Sequence, residues 1–414
     1  MIRKQSEEWF DRACSVIPGG IYGHVSPGSS LPTNFPFYCH SARGARFVDV
    51  DGNEWMDFMC GFGAVLHGYL NPRIEEAVTQ QKTKGAIFNQ PSTQMVELAE
   101  LLVERVDFAD WAVFAKNGSD LTSWALRVAR EKTGREYVIK ARGSYHGVDS
   151  WCDPGLGGRI SSDRSHILEF SWNNLDQLNS LISDKLDQVA AIILTPYHHA
   201  SFAQSELPDP DFWNQVRKLA HRHGIALILD DVRCGGRLHL GGSHRYFGFS
   251  PDLAIYSKAL GNGYAISACV GSNEYRLPAA DVFLTGSCWN DAVAMSAAIE
   301  SLKISADDHV AESVLEKGRQ FCSQMEALGR SRQIPLQMTG IPSMPYPWIE
   351  GDENLYQIQA LCKCCASQGL YFHPHHNWFI SNAISEEDIA TSLKRAGVAF
   401  DQFAEMSLNF ESNG

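Results

Sequence analysis

Several short polar segments in the middle of the chain each follow a predicted strand, and their residue types could do chemistry. The segments cover residues 116–120, 143–147, 229–232, 257–259 and 285–287. Lys258 is the reactive candidate, because an amine in a pocket loses its charge more easily than one in water and can then attack a carbonyl. Asp230 ends a separate apolar run. Since parallel strands end at one edge of a sheet, these segments predict a single site there.

Familiar nucleotide, hydrolase and metal motifs are missing from the sequence. It contains no G-x-x-x-x-G-K, no G-x-S-x-G, no H-E-x-x-H and no complete G-x-G-x-x-G segment. These absences disfavour P-loop, α/β-hydrolase, zincin and Rossmann dinucleotide-binding proteins. Histidine and cysteine clusters at 198–199, 221–223, 362–365 and 373–376 lack zinc-type ligand spacing, so we expect no metal site.

The elements that must position these residues alternate between strands and helices. Predicted strands cover 111–115, 137–140, 189–194, 225–229, 253–256 and 268–270, and each is short, apolar and bounded by polar residues or glycine. Apolar residues repeat with helical spacing over 95–106 and 121–129. This alternation is typical of an α/β domain whose parallel strands are joined by crossover helices.

The two ends of the chain differ from the middle. Residues 1–60 contain a short helical pattern, a Pro/Gly-rich stretch and a hairpin-like pair, 45–50 and 54–58, joined through Asp51-Gly52-Asn53. Helical patterns and a second mixed region return from about residue 300. We therefore expect a large α/β domain over 61–299 and a smaller domain built from 1–60 and 300–414.

Composition and charge exclude several functional classes. Of the 414 residues, 44% are hydrophobic and 20% are charged, which supplies enough apolar surface for a folded core. The 35 basic residues are outnumbered by 48 acidic ones, giving a net charge of −13, so we expect no nucleic-acid or membrane partner. An odd, sparse set of 11 cysteines and the lack of a signal-like apolar run favour a protein of the reducing cytoplasm.

In their order along the chain, the polar segments resemble the class III (fold-type I) aminotransferases that use pyridoxal 5′-phosphate (PLP), in the branch related to glutamate-1-semialdehyde aminomutase. The resemblance runs from residues 49–53 to 379–381 and 386–389, and it is densest from 229 to 271. It implies a large α/β domain with a mainly parallel seven-stranded sheet and a smaller α+β domain formed from both termini. It also implies PLP as the cofactor.

The resemblance assigns cofactor roles to five residues. Lys258 matches the family's Schiff-base lysine, and Asp230 matches the carboxylate that pairs with the pyridinium nitrogen and keeps the ring protonated. Val232 would pack against one face of the ring. Tyr145 would stack on the other face, and it stands in an aromatic-His-Gly segment with His146.

The cofactor phosphate needs backbone N–H groups at the start of a helix, where free donors and the helix dipole favour an anion. Gly118 and Ser119 open the helical pattern over 121–129 and supply that arrangement. The family also uses a threonine from the neighbouring subunit, and alignment puts Ser287 there, with Thr285 as a substitute. The resemblance therefore implies an obligate homodimer with its site at the interface.

Three features depart from the family or aminomutase pattern. Where aminomutases carry a Ser-Pro-Val-Arg-like stretch after a glycine pair, residues 19–27 read GGIYGHVSP, with no arginine to grip a carboxylate. His376 takes the position of an aminomutase glutamate, and Asp231 stands where the family usually has glutamate. The first two argue against glutamate-1-semialdehyde as the substrate.

The phosphate-loop sequence, the segment at 376–378 and the loop at 197–199 resemble aminotransferases that act on sugars, including enzymes of aminoglycoside antibiotic biosynthesis. We therefore expect transfer of an amino group from an amino-acid donor, glutamate or glutamine, to an oxo-sugar. Tyr22, His24, His198 and His376 are the candidate substrate-binding residues.

Two other functions stay open. A PLP-dependent isomerase, either an aminomutase or an amine-carbon epimerase, would need the same Lys258 and Asp230 and would form product without net consumption of a donor. A non-catalytic α/β ligand-binding protein would instead behave like the wild type after Lys258→Ala.

Overall fold

The chain divides into two compact units in a computed structural model that describes residues 3–155, 157–199 and 202–411, with side chains up to residue 406. The first unit takes in Met1–Asn71, Phe202–Gln204 and Ser313–Gly414. The second takes in Pro72–Ser201 and Ser205–Glu312. Each unit has sheets of its own.

The helices and strands are numbered separately in chain order. The helices are α1 (Lys4–Cys14), α2 (Cys60–Gly63), α3 (Pro72–Lys82), α4 (Thr93–Arg105), α5 (Gly118–Thr133), α6 (Leu175–Asp184), α7 (Phe212–Arg222), α8 (Ser243–Phe247), α9 (Arg276–Asp281), α10 (Ala292–Asp307), α11 (Val310–Arg330), α12 (Tyr356–Ser367) and α13 (Glu386–Glu411). The strands are β1 (Cys39–Arg43), β2 (Arg46–Asp49), β3 (Glu54–Asp57), β4 (Trp111–Ala115), β5 (Tyr137–Ala141), β6 (Ile167–Phe170), β7 (Val189–Leu194), β8 (Ala226–Asp230), β9 (Leu253–Tyr256), β10 (Ser267–Gly271), β11 (Leu336–Ile341), β12 (Met344–Ile349) and β13 (Leu370–Tyr371).

The sheet of the second unit has seven strands in the order β4-β10-β9-β8-β7-β5-β6. The five strands from β9 to β6 are parallel to one another. Strand β10 is antiparallel to both β9 and β4, so β4 points the same way as those five. The predicted α/β fold class with a mainly parallel seven-stranded sheet is confirmed.

This sheet is buried on both faces. Along β8, Leu227 and Leu229 belong to one apolar cluster and Ala226 and Ile228 to another, because successive side chains point to opposite faces. Helix α5 contacts β7, β9 and β10, whereas α4 contacts α10 and β4. Strands covered on both faces, such as β7 and β8, are apolar along their length, and the polar residue of β8, Asp230, is its last.

The six predicted strands coincide with β4, β5, β7, β8, β9 and β10 to within a residue at either end. Strand β6 was not predicted. It lies at an edge of the sheet and is only half-buried, and its Glu169 pairs with Lys140 of β5 at 2.8 Å. Glu169 interrupts the apolar run by which a buried strand is recognised, and Lys140 on the neighbouring strand compensates its charge.

In the first unit, β2 and β3 form the antiparallel hairpin that the sequence predicted. The Asp49 carboxylate fixes the turn by accepting hydrogen bonds from the backbone N–H of Asp51 at 3.0 Å and of Asn53 at 2.8 Å. The Trp55 indole N–H donates to the same carboxylate at 3.0 Å. Gly52 has φ +83°, which glycine adopts without strain.

The sheet around this hairpin has the order β1-β2-β3-β13, and β11 and β12 form a separate antiparallel pair. Strand β1 was not predicted, since its sequence, CHSAR, is polar and largely exposed. Among the described residues, no helix is both long enough and apolar enough to cross a membrane.

Candidate active site

The carboxyl ends of the parallel strands of the second unit surround a cavity of about 190 Å³. The segments that follow β4, β5, β7, β8 and β9 all contribute to its wall. The lining residues are Asn117, Gly118, Ser119, Tyr145, His146, Gly147, Thr195, His199, Asp230, Val232, Arg233, Ser257 and Lys258. The edge of the sheet that the sequence singled out therefore holds one site.

One end of the cavity is the N-terminus of the 16-residue helix α5. Asn117 caps this helix, and its backbone N–H donates to the Asp120 carboxylate at 2.8 Å. Gly118 lies so close to Val232 that a Cβ built on it would be 2.7 Å from Cγ2 of that valine. A Cβ at Gly147 would be 2.7 Å from the hydroxyl of Ser119. The two glycines thus leave backbone space at a helix start, where an anion is stabilised.

Asp230, the last residue of β8, is buried and is held from two sides. Its Oδ2 lies 2.7 Å from Nδ1 of His146, and its Oδ1 accepts a hydrogen bond from the backbone N–H of Val232 at 3.2 Å. Ser144 lies 3.0 Å from the other ring nitrogen of His146. Trp151 stacks on the imidazole, with ring centroids 6.0 Å apart. The carboxylate therefore has a fixed orientation toward the cavity.

Asp231 has a different environment from its neighbour. Its carboxylate is buried and accepts hydrogen bonds from the backbone N–H of Ser243 at 2.8 Å and from its hydroxyl at 2.5 Å. Burial raises the pKa of Asp231 to about 7, although both hydrogen bonds lower it. Asp231 does not line the cavity, and it ties the turn after β8 to the start of α8.

Lys258 begins a short 3₁₀ turn, Lys258–Gly261, that follows β9. Its backbone has φ +47°, a conformation that a non-glycine residue adopts only at a cost and that is found mostly at functional sites. Burial lowers the pKa of Lys258 to about 7, and the positive charge of Arg233 lowers it further, whereas Asp230 opposes the change. A large fraction of this amine is therefore unprotonated near neutral pH.

Four further residues line the cavity, and the sequence analysis assigned none of them a role: Thr195, His199, Arg233 and Ser257. Nε2 of His199 is buried and has no hydrogen-bond partner. Burial lowers the pKa of His199 well below its usual value, so the ring is neutral. An unsatisfied polar atom in the wall of a cavity indicates that a ligand completes its hydrogen bonding.

These residues fit PLP. The start of α5 would receive the phosphate, Asp230 would pair with the ring nitrogen, and Lys258 would hold the cofactor covalently. Tyr145, whose side chain is 37% exposed, and Val232 would enclose the ring. Since His146 positions Asp230, all the cofactor residues expected from the sequence except Ser287 lie at this cavity.

Ser287 lies elsewhere in the chain, in an exposed turn between α9 and α10. A contribution from this residue to a site would therefore have to come from a second copy of the chain, which stays a prediction.

The four candidate substrate residues lie outside the cavity wall. His198 is buried, stacks on Trp172 with centroids 5.6 Å apart, and has a pKa lowered to about 4 by burial. Tyr22, His24 and His376 lie in the first unit. The ring centroid of Phe62 is 5.6 Å from His24 and 5.4 Å from His376, and Tyr22 stacks on His24 at 6.5 Å. These three residues thus form one aromatic cluster with Phe62.

The described residues contain no group of three or more His, Cys, Asp or Glu side chains placed to hold a metal ion. Cys362, Cys364 and Cys365 are buried in or against α12, as expected for packing residues, and all are free thiols.

The sequence is similar to those of known proteins over most of the chain. The family model for class-III aminotransferases matches residues 29–152 and 160–395. An aminopentol aminotransferase of Sphingopyxis macrogoltabida is 38% identical, covering 94% of this chain and 92% of its own. A 3-aminobutyryl-CoA aminotransferase of Cloacimonas acidaminovorans is 34% identical, covering 94% and 95%. A glutamate-1-semialdehyde 2,1-aminomutase of Syntrophobacter fumaroxidans is 29% identical, covering 98% and 99%.

Solved structures of known proteins also match this chain over most of its length. The FumI protein of Sphingopyxis sp. MTA144, solved with PLP, superposes with a TM-score of 0.94 at 37% identity and covers 96% of each chain. An omega-transaminase of Sphaerobacter thermophilus has a TM-score of 0.88 at 25% identity, covering 96% of this chain and 97% of its own.

The close approach of Gly118 to Val232 gives a first test. In Gly118→Ala the new methyl group meets the Val232 side chain, so we expect Val232 to move and the affinity for PLP to fall by roughly tenfold, since overpacking costs about 1–3 kcal/mol. The dissociation constant is measured by titrating cofactor-free protein with PLP.

The matched control is the same substitution in a Val232→Ala background, where the valine methyl groups are gone. We expect Gly118→Ala to cost less there, as a double-mutant cycle would show. An equal cost in both backgrounds would contradict the contact.

The lowered pKa of Lys258 gives a second test. Only the neutral amine reacts with an aldehyde, so the rate at which cofactor-free protein captures PLP covalently should rise with pH through about 7 and then level off. Borohydride reduction followed by mass spectrometry measures the captured fraction, and Lys258→Ala should show none. A midpoint near the usual lysine value of 10.5 would refute the assignment.

Proposed function

The chain belongs to the class-III aminotransferases, which use PLP, and from that premise we propose that it moves an amino group from glutamate or glutamine to the oxo group of a sugar. The observation that carries the aminotransferase activity is the shared cavity of Lys258, Asp230 and the α5 N-terminus. The identity of the donor and the acceptor is the proposed part.

The chemistry that PLP supplies when bound is an electron-withdrawing ring that stabilises negative charge on the substrate carbon next to the amine. Asp230 would hold a proton on the ring nitrogen, and His146 and the Val232 amide orient its carboxylate for this. Lys258 moves a proton at the substrate carbon as a general base, for which a pKa of about 7 is suited. Tyr145 and Val232, which line the cavity, would enclose the ring and exclude water from it.

Support for a hydroxyl-rich acceptor comes from the polar wall of the cavity and from a relative. Thr195, His199 and Ser257 offer hydroxyl and imidazole groups, which hydrogen-bond to hydroxyls. The relative from Sphingopyxis macrogoltabida acts, by its name, on an aminopentol, an amine with several hydroxyl groups. We propose that Tyr22, His24 and His376 add aromatic and imidazole contacts to the acceptor, and that His198 braces the His199 loop.

An isomerase remains the second candidate, because the aminomutase of Syntrophobacter fumaroxidans matches nearly the whole chain. The residues of the cavity serve both reactions. The missing arginine in residues 19–27 and the histidine at 376 argue against glutamate-1-semialdehyde as the substrate of such an isomerase.

We propose further that the protein works as a homodimer in which Ser287 of one copy contacts the cofactor phosphate of the other. Two exposed residues in the connection between α9 and α10 support this proposal. Ser287 is exposed, and Phe283 has 74% of its surface exposed.

The proposed function is tested with a donor-by-acceptor assay on purified, PLP-loaded protein. We expect glutamate or glutamine alone to change the cofactor absorbance, and an oxo-sugar to restore it and leave an aminated product detectable by mass. Amino sugars and semialdehydes complete the panel. Rearrangement or epimerisation of an amino compound without use of a donor would replace the transferase by an isomerase.

The same assay is used to measure the turnover of variants. Lys258→Ala and Asp230→Ala should each lower turnover by roughly 10²-fold or more, since each removes a group that handles protons. The matched control is Lys218→Ala on the exposed face of α7, which should match the wild type. Full activity of either variant would refute the assignment of the site, whereas a wild type that transfers no amino group and is unchanged by Lys258→Ala would leave the non-catalytic function.

A pair of inactive variants tests whether two copies of the chain share the site. Ser287→Glu places a negative charge beside the phosphate and should inactivate the protein, as Lys258→Ala does. If the partner supplies Ser287, mixing the two variants forms one intact site in each heterodimer, and activity returns. A mixture that stays inactive after subunit exchange is verified by mass would show that the site does not take Ser287 from the partner.

A further inference from the structure

An ion pair ties the start of α5, which suits the cofactor phosphate, to the start of α10. Lys116 lies between β4 and Asn117, the residue that caps α5, and its Nζ is 2.7 Å from Oδ2 of Asp291. Both side chains are largely buried, with 18% and 22% of their surface exposed. Because a partly buried ion pair is screened less by salt than an exposed one, it holds its two ends together more firmly.

Both ends of this ion pair belong to fixed parts of the fold. Asp291 caps the 16-residue helix α10, since its Oδ1 accepts hydrogen bonds from two backbone N–H groups of the first turn at 3.0 and 3.3 Å. The backbone oxygen of Asn117 accepts a hydrogen bond from the Ser267 hydroxyl at 2.9 Å. Lys116 and Asp291 therefore join two helix starts that are each held in place by other contacts.

The segment that precedes Asp291 also lies against α5. This connecting segment, residues 282–290, contains Ser287. The backbone oxygens of residues 282 and 283 accept hydrogen bonds from side chains of α5, each at 3.3 Å. Near the other end, Trp289 packs against the apolar cluster to which α5 contributes. The connecting segment is thus attached to α5 at both ends, by these contacts and by the ion pair that follows it.

Ser287 lies in the part of the connecting segment that faces solvent. It stands in a turn in which the backbone N–H of Trp289 donates to the oxygen of Gly286 at 2.9 Å, and its side chain is exposed. Asp291 is only four residues further along the chain, so a shift of the α10 start would move Ser287 as well. Ser287 does not line the cavity of its own chain. A ligand atom that Ser287 contacts would therefore belong to another copy.

We infer that the ion pair between Lys116 and Asp291 positions Ser287 for the cofactor phosphate of the second copy, so that Lys116 supports PLP binding in the partner's site and not in its own. The inference rests on the proposed homodimer with Ser287 at the shared site. It gives each α5 two tasks. The N-terminus of the helix receives one phosphate, and the connecting segment attached to the same helix completes the site for the other.

Direct contact of Lys116 with the phosphate of its own chain is the alternative, because Lys116 directly precedes two residues of the cavity wall, Asn117 and Gly118. Two observations argue against it. Lys116 does not line the cavity. Its ammonium already has an anionic partner at 2.7 Å, and turning away would leave the largely buried carboxylate of Asp291 without its counter-ion.

Heterodimers in which only one copy can capture PLP covalently test the inference. One copy keeps Lys258, the other carries Lys258→Ala, and two different affinity tags isolate the mixed dimer. The measured quantity is the PLP concentration at which borohydride traps half of the Lys258 copies, determined by mass spectrometry. We expect Lys116→Met in the Lys258→Ala copy to raise this concentration roughly tenfold, because a charge-assisted hydrogen bond from Ser287 is lost. Lys116→Met in the copy that keeps Lys258 should leave it unchanged.

Two further variants are placed in the Lys258→Ala copy. Asp291→Asn keeps a capping side chain and loses the charge, so it should give the same loss as Lys116→Met, and combining the two should add little. The matched control is Arg73→Met, which removes ion pairs of 2.7 and 2.9 Å between α3 and later turns of α10, at Glu300 and Asp307. PLP capture should be the same in this control as in the wild type.

Three results would overturn the inference. A loss seen only when Lys116→Met is in the copy that keeps Lys258 would assign Lys116 to its own phosphate. An equal loss in both arrangements would make the ion pair a general support of the fold, and no loss in either would leave it without this role. A protein that stays a single chain in solution would overturn the shared site together with the inference. Since covalent capture does not require turnover, a wild type that transfers no amino group is recognised separately.

Discussion

The site depends on two ionisable groups, a carboxylate and an amine, that the fold removes from bulk water at adjacent strand ends. Asp230 closes β8 and Lys258 follows β9, and the two strands are paired in parallel. The same low-dielectric surroundings act on both groups, but their partners differ. His146 and the Val232 amide support the charge of Asp230, whereas Arg233 opposes the charge of Lys258. One cavity thereby holds a hydrogen-bonded carboxylate and an amine whose pKa is lowered to about 7.

The apolar faces of the sheet explain why Asp230 and Lys258 lie at the ends of strands. Successive residues of β7 and β8 alternate between two apolar clusters, one on each face, so a charged side chain within those strands would be buried without a partner. At the carboxyl ends, backbone N–H groups of following turns and helices become available as donors. The start of α5 and the Val232 amide are two such groups. Catalytic chemistry at this edge follows from the burial of the rest of the sheet.

Much of the fold could be predicted from the sequence, and so could the gathering of the candidate site residues at one cavity, because each residue involved has a local signature. Lys258, Asp230 and Gly118 stand at the ends of apolar runs or at a helix start, and these boundaries are visible in the residue order. His199 and Arg233 could not be predicted in the same way. Their places in the wall depend on how two turns fold back toward the cavity, and neither turn has a periodic pattern. Edge strand β6 escaped recognition for a related reason, since Glu169 is satisfied by Lys140 on another strand.

The shorter acid at position 231 shows how a departure from the family pattern can be accommodated. Asp231 stands beside Asp230, and two buried carboxylates next to each other would repel if both were charged. The structure separates them by partner: Asp231 turns toward Ser243, and Asp230 turns toward His146. Burial and the charge of Asp230 raise the pKa of Asp231 to about 7, so Asp231 is partly protonated near neutral pH. Asp230 is the one of the two carboxylates that lines the cavity.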